Sequence, residues 1–186
     1  AWTAFGANAE SAPDFRVAFT PTRLTILTQP VATAASGAAF TRQPVLQLRD
    51  ASGNAVSRAG VVVTAAIASG GGTLGGTLTA TTTSSGIATF ANLAITGTIG
   101  DRTLSFSAPS LTGVTSTAIT IASGGASQLT LTTEPPGTAA SGAVFAEQPV
   151  LQLRDASGNA VSRAGVVVTA AIATGGGTLG GTLTAT

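Results

Sequence analysis

Apolar and polar residues alternate along most of this chain with a period of two. Leu24 and Ile26 flank Thr25, and Leu46 and Leu48 alternate with Val45, Gln47 and Arg49. Val61, Val63, Ala65 and Ile67 fall on one face of the run at 60–68. Alternation of this kind places successive side chains on opposite faces of a pleated strand, so each segment is predicted to be β. Further strands are predicted at 78–83, 86–95, 102–108 and 115–122, with Leu104 and Phe106 on one face and Ile119 and Ile121 turned inward. Clusters of turn-forming residues separate them: Asp-Ala-Ser-Gly-Asn at 50–54, Thr-Ser-Ser-Gly at 83–86 and Gly-Thr-Ile-Gly-Asp at 97–101. The predicted core is Leu46, Leu48, Val63, Ile67, Phe90, Leu104 and Phe106.

The same pattern occurs twice. Residues 24–81 realign on 129–186 at an offset of 105, with 49 of 58 positions identical, and the segment 43–68 recurs unchanged at 148–173. A period of this length suits one β-sandwich domain better than a solenoid turn. The expected organisation is an N-terminal extended segment at 1–23, a complete repeat at 24–128 and the first half of a second repeat at 129–186. The second copy runs to Thr186, the counterpart of Thr81, so this sequence holds no second version of residues 82–128.

Seven short strands with turns every 8 to 12 residues are the pattern of an Ig-like sandwich. The succession LQLRDASGNAVSRAGVVVTAAI, SSGIATFANLAI and DRTLSFSAPSLTGVTSTAITI resembles the bacterial Ig-like tandem repeats of invasin- and intimin-type surface proteins. The resemblance covers one full repeat and half of another. It implies an all-β fold of tandem Ig-like antiparallel sandwiches, the second incomplete, serving as rods or spacers of extracellular adhesins and surface fibres.

Composition narrows the chemistry. The chain has no Cys, His, Met or Tyr, and all eight of its basic residues are Arg. Without Cys or His there is no thiolate, no imidazole base and no disulfide. Without Lys there is no amine for sortase-type linkage or for Lys-Asn isopeptide crosslinks, so assembly is expected to be non-covalent. The net charge of +1 is spread over scattered residues, with no basic stripe that would track phosphates, and nucleic acid is not an expected partner. Mean hydropathy is +0.44, yet Thr, Ser and Gly interrupt every apolar run before 18 residues, so no membrane-spanning helix is expected. The N-terminus begins AWTAFGANAE, without Met or a basic leader, and reads as a processed end or an arbitrary boundary rather than an intact signal peptide.

Three motifs invite a functional reading. The turn at 50–54, repeated at 155–159, offers Asp, Ser and Asn oxygens but only one carboxylate, whereas calcium takes six to eight oxygens; a hairpin turn with a left-handed Gly accounts for the same residues. The stretches GGGTLGGT at 70–77 and 175–182 lack the Gly-Lys-Ser/Thr ending of a phosphate loop and are expected to be flexible loops. No Ser has a His to activate it, and nothing pairs two carboxylates, so no enzyme activity and no cofactor or metal site are expected.

The N-terminal segment is unusually apolar, holding Trp2, Phe5, Phe15 and Phe19, with Phe15, Val17 and Phe19 alternating on one face. It is the expected donor strand. The sequence therefore suggests a structural subunit of an extracellular or cell-surface filament, secreted and polymerised head-to-tail with copies of itself by strand complementation. The alternative is a stalk fragment of an adhesin whose binding tip lies elsewhere.

Overall fold

The computed structural model describes residues 19–186. The fold is all-β and of the sandwich type, with no helix among the described residues. The first repeat contains β1 (Arg23–Thr28), β2 (Thr33–Ala35), β3 (Val45–Arg49), β4 (Val62–Ser69), β5 (Thr73–Gly75) and β6 (Thr79–Thr81). It continues through β7 (Ile87–Thr89), β8 (Ala94–Thr96), β9 (Gly100–Ser107), β10 (Val114–Thr115) and β11 (Ile119–Ala122). The second repeat contains β12 (Gln128–Thr133), β13 (Val150–Arg154), β14 (Val168–Thr169) and β15 (Thr184–Ala185).

In the first repeat one sheet has the order β1-β3-β7 and the larger has the order β2-β11-β9-β4-β6, with β10 on β9 and a small β5-β8 ribbon beside them. Leu24 lies opposite Leu48, and Ala65 opposite Phe106. The core holds Leu24, Leu46 and Leu48 from the first sheet and Val63, Leu104, Phe106, Ile119 and Ile121 from the second. The Phe90 and Phe106 rings meet with centroids 5.3 Å apart and planes tilted by 52°, within the range of favourable aromatic pairs. Ile67 is half-buried at the rim of this core.

The structure departs from simple alternation where polar groups take over. The segment 86–95 divides into β7 and β8 because Asn92 adopts a left-handed φ of 57°, a conformation that Asn tolerates better than most residues. The segment 115–122 divides at Ser116, whose buried hydroxyl accepts the Leu104 N–H at 2.9 Å. Gln47 is buried rather than outward, and its carboxamide donates to the Ser85 carbonyl at 3.0 Å. The glycine-rich stretch at 70–77 is not simply a loop, since it contains β5, which pairs with β8. There Gly72 takes a φ of 92°, and a Cβ on it would stand 2.8 Å from the Thr96 carbonyl oxygen. One strand pair is parallel, β11 on β2, as is the single bridge of Arg23 with Thr112, while the other strand pairs of the first repeat are antiparallel.

The second repeat reproduces only the pairings internal to its half. β12 pairs with β13 as β1 does with β3, including the same register irregularity. β14 pairs with β15 as β4 does with β6. Nothing among the described residues stands where β7 and β9 stand in the first repeat. β14 consequently spans two residues where β4 spans eight. Leu129 is 50% exposed where Leu24 is 3%, and Leu151 is 40% exposed where Leu46 is fully covered.

Truncating Phe106 to Ala is expected to cost about 3–5 kcal/mol in chemical denaturation. Leu46→Ala should cost about 2–5 kcal/mol, and its sequence-identical counterpart Leu151→Ala less than about 1 kcal/mol. Equal costs for the two leucines would contradict the difference in burial.

Candidate functional site: the junction between repeats

The turn at 50–54 closes on itself. The Asp50 carboxylate accepts the Asn54 backbone N–H at 2.8 Å and the Asn54 side-chain amide at 2.9 Å. Gly53 supplies the left-handed φ of 92° that the turn requires. The Arg49 guanidinium donates to the Gly53 carbonyl at 2.9 Å and to Thr25 Oγ1 at 3.0 Å, tying the turn to the neighbouring strand. Both carboxylate oxygens are thus engaged by the turn's own donors.

The identical turn at 155–159 makes the same internal bonds, at 2.9 Å and 2.8 Å, and then docks on the first repeat. The Gly124 N–H donates to Asp155 Oδ2 at 2.7 Å. The Asn159 side chain bonds with both ends of its amide, donating to the Gly97 carbonyl at 2.9 Å and accepting the Ile99 N–H at 3.0 Å. The Ser157 and Ser36 hydroxyls lie 3.1 Å apart. Asn159 is buried where Asn54 is exposed. One five-residue sequence therefore occurs free and docked within a single chain.

The receiving surface is built by three elements. Ser36 follows β2 and is held there by its N–H to the Ala122 carbonyl at 2.9 Å. Its hydroxyl also contacts Gly97, donating to the carbonyl at 3.0 Å or accepting the N–H at 3.1 Å. The loop at 97–101 is fixed by the buried Arg102, which donates to the Thr98 carbonyl at 2.8 Å and to the Asp101 carbonyl at 2.9 Å. Arg102 is thus a positioning residue for Gly97 and Ile99. Gly124 in the connection between repeats approaches so closely that a Cβ would lie 2.6 Å from the Ser36 carbonyl oxygen.

The docked turn lies beside Gln128, where the chain enters the second repeat, and the receiving surface lies beside Ala122, where it leaves the first. The contact is therefore head-to-tail. Burial of Asp155 opposes its ionisation, but hydrogen bonds from the Asn159 side chain and from the N–H groups of Gly124, Asn159 and Ser157 outweigh it and hold the carboxyl at about 2, below the ordinary 3.8. Asp50 is also lowered, chiefly by the Asn54 side chain and against burial.

The second repeat carries another open feature, a groove of about 360 Å³ lined by Leu129, Leu153, Arg163, Val166 and Val168. It lies on the face that is closed in the first repeat, where Leu24, Leu48 and Val63 are buried. Of the expected donor residues, Trp2, Phe5, Phe15 and Val17 lie outside the described residues, and Phe19 is half exposed. Sequence reasoning missed the junction. The sequence carried no local signal of it, since the identical residues Ser52 and Asn54 stay exposed.

In this chain, which lacks cysteine, the pair Ser36→Cys and Ser157→Cys should oxidise to an intramolecular disulfide, while Ser36→Cys with Ser52→Cys should not. Gly124→Ala is expected to loosen the junction by about 1–3 kcal/mol, read as faster exchange of the Asn159 side-chain amide with the first domain intact. The bonds within the turn and, across the junction, the Gly124 N–H together hold the Asp155 carboxyl below its ordinary value, so the stabilisation they supply is complete above about pH 4 and is lost as pH falls through about 2. Protection of Asn159 should follow that window, and Asp155→Asn should flatten it.

No family model matches the chain, and no curated protein does. Among solved structures it is similar to the crystal structure of an S-layer protein, with a TM-score of 0.31 and 17% identity, covering 81% of this chain and 19% of that one.

Proposed function

We propose that this chain is a structural subunit of an extracellular or cell-surface filament built from Ig-like domains, in which a half-sandwich is completed non-covalently by strands of a neighbouring copy. The observation that carries this reading is the pair of fates of one sequence. Leucines covered under β7–β11 in the first repeat stand open at their counterparts in the second. Burying one such side chain fully is worth about 1.5–3 kcal/mol, so covering this face is strongly favourable. The free edges of β13 and β14 add unpaired backbone groups, which strand addition satisfies. The proposed donor is the N-terminal segment, with Phe15, Val17 and Phe19 on one face. The resemblance to invasin- and intimin-type repeats supports a place outside the cell. No catalytic step belongs to this reading, since the carboxylates of Asp50 and Asp155 are engaged in turn closure.

A second reading, a spacer segment of an adhesin stalk, is favoured by the head-to-tail junction, which is what a linear rod requires. Deleting residues 1–20 separates the two. Under the filament reading the deletion abolishes assembly, followed by sedimentation and electron microscopy, while the domain at 24–127 stays folded. Unchanged assembly would overturn the donor assignment. A parent chain that is monomeric at high concentration would favour the stalk.

A further inference from the structure

The docked turn at 155–159 has a free twin. Segments 43–68 and 148–173 are identical, so the two turns carry the same side chains on the same backbone sequence. They also share a preformed shape: the internal Asp-Asn bonds differ by only 0.1 Å between them, and Gly53 and Gly158 have φ of 92° and 81°. Docking therefore requires no refolding of the turn. At 155–159 the contact uses Ser157, Asn159 and one oxygen of Asp155. At 50–54 the equivalent Asp50 is already buried by its own domain, whereas Ser52 and Asn54 are exposed, and neither the Ser52 hydroxyl nor Asn54 Oδ1 has a hydrogen-bond partner among the described residues.

We propose that the Asp50–Asn54 turn is a docking surface for the exit end of another repeat of this kind. The chain itself displays the chemistry of that partner. It presents two backbone N–H groups, those of Ile99 and Gly124, one carbonyl at Gly97 and one hydroxyl at Ser36, spaced to meet Asn, Asp and Ser. In a second copy of this chain the exit end of the first domain is already covered by that copy's own Asp155 turn. The partner is therefore a repeat whose exit end is bare. Entry and exit ends present different groups, so the contact is heterologous and extends in one direction. This inference stands on the junction alone and does not need strand complementation.

The test inserts one further copy of residues 24–128 between Arg23 and Leu24, leaving the rest of the chain intact. The exit end of the inserted repeat then precedes the native Asp50 turn with the same connection that joins the two native repeats. Exchange of the Asn54 side-chain amide, read by NMR, is expected to slow at least about tenfold, toward the behaviour of Asn159. Exchange as fast as in the parent chain would overturn the proposal.

A second measurement avoids the insertion. The core cluster of the first domain draws no residue from the second repeat, so chains ending at Ser127 keep that core and leave its exit end bare. Such chains carrying Ser36→Cys, mixed with others carrying Ser52→Cys, should form a mixed disulfide faster than when Ser52→Cys is replaced by Ser107→Cys. Equal rates would count against the proposal.

Discussion

β9 is the strand on which the rest of this structure depends. It pairs with β4, β10 and β11 and places Leu104 and Phe106 in the core. The same run, Val-Val-Thr-Ala-Ala-Ile-Ala, forms the long β4 beside it and only the short β14 where no such partner lies. Strand propensity is identical in the two copies, so propensity does not decide the outcome. Cross-strand pairing and a face to pack against do. The early pairings, β12 with β13 and β14 with β15, survive without β9 because each is antiparallel and internal to its half. They remain two-stranded, and isolated two-stranded ribbons are marginal in water.

The junction draws on the same strand. Arg102 lies in β9, and its guanidinium shapes the 97–101 loop that presents Gly97 and Ile99 to the next repeat. Gly124 follows β11, which itself pairs with β9. An exit end therefore exists only on a domain that already has this strand in place. The entry turn, by contrast, closes within the first half of a repeat and is fully formed in both copies. A half repeat can dock onto the domain before it while having nothing to offer the domain after it.

The repeat, the strand-rich pattern and the principal core residues were legible because each depends on spacing alone. Leu46, Leu48, Leu104 and Phe106 alternate and are buried. What alternation could not show was set by contacts distant in sequence. Gln47 is turned inward by carbonyls at Ser85 and Gly86. Thr73–Gly75 becomes a strand because Ala94–Thr96 lies beside it and its flanking glycines permit the approach. Asn92 breaks a run that looks continuous, since its left-handed φ cannot be read from apolar periodicity. The turn at 155–159 was correctly legible as a turn, but its second role depends on residues 36, 97, 99 and 124 converging on one end of a domain, which no local pattern records.

The chemistry of the junction also fits what the composition permits. A chain without Cys, His or Lys has few ways to fix two domains together, and an ion pair between exposed groups would be weak and sensitive to salt. Here four hydrogen bonds join the repeats, with three backbone groups and one hydroxyl on the receiving side. The single charge, on Asp155, is met by the Asn159 side chain and three backbone N–H groups rather than by a cation. Such an arrangement keeps the carboxylate ionised into acid conditions and is little screened by salt. It also ties the junction to backbone geometry, so that shape at Gly124 and at the 97–101 loop matters more than surface charge in holding the two repeats in line.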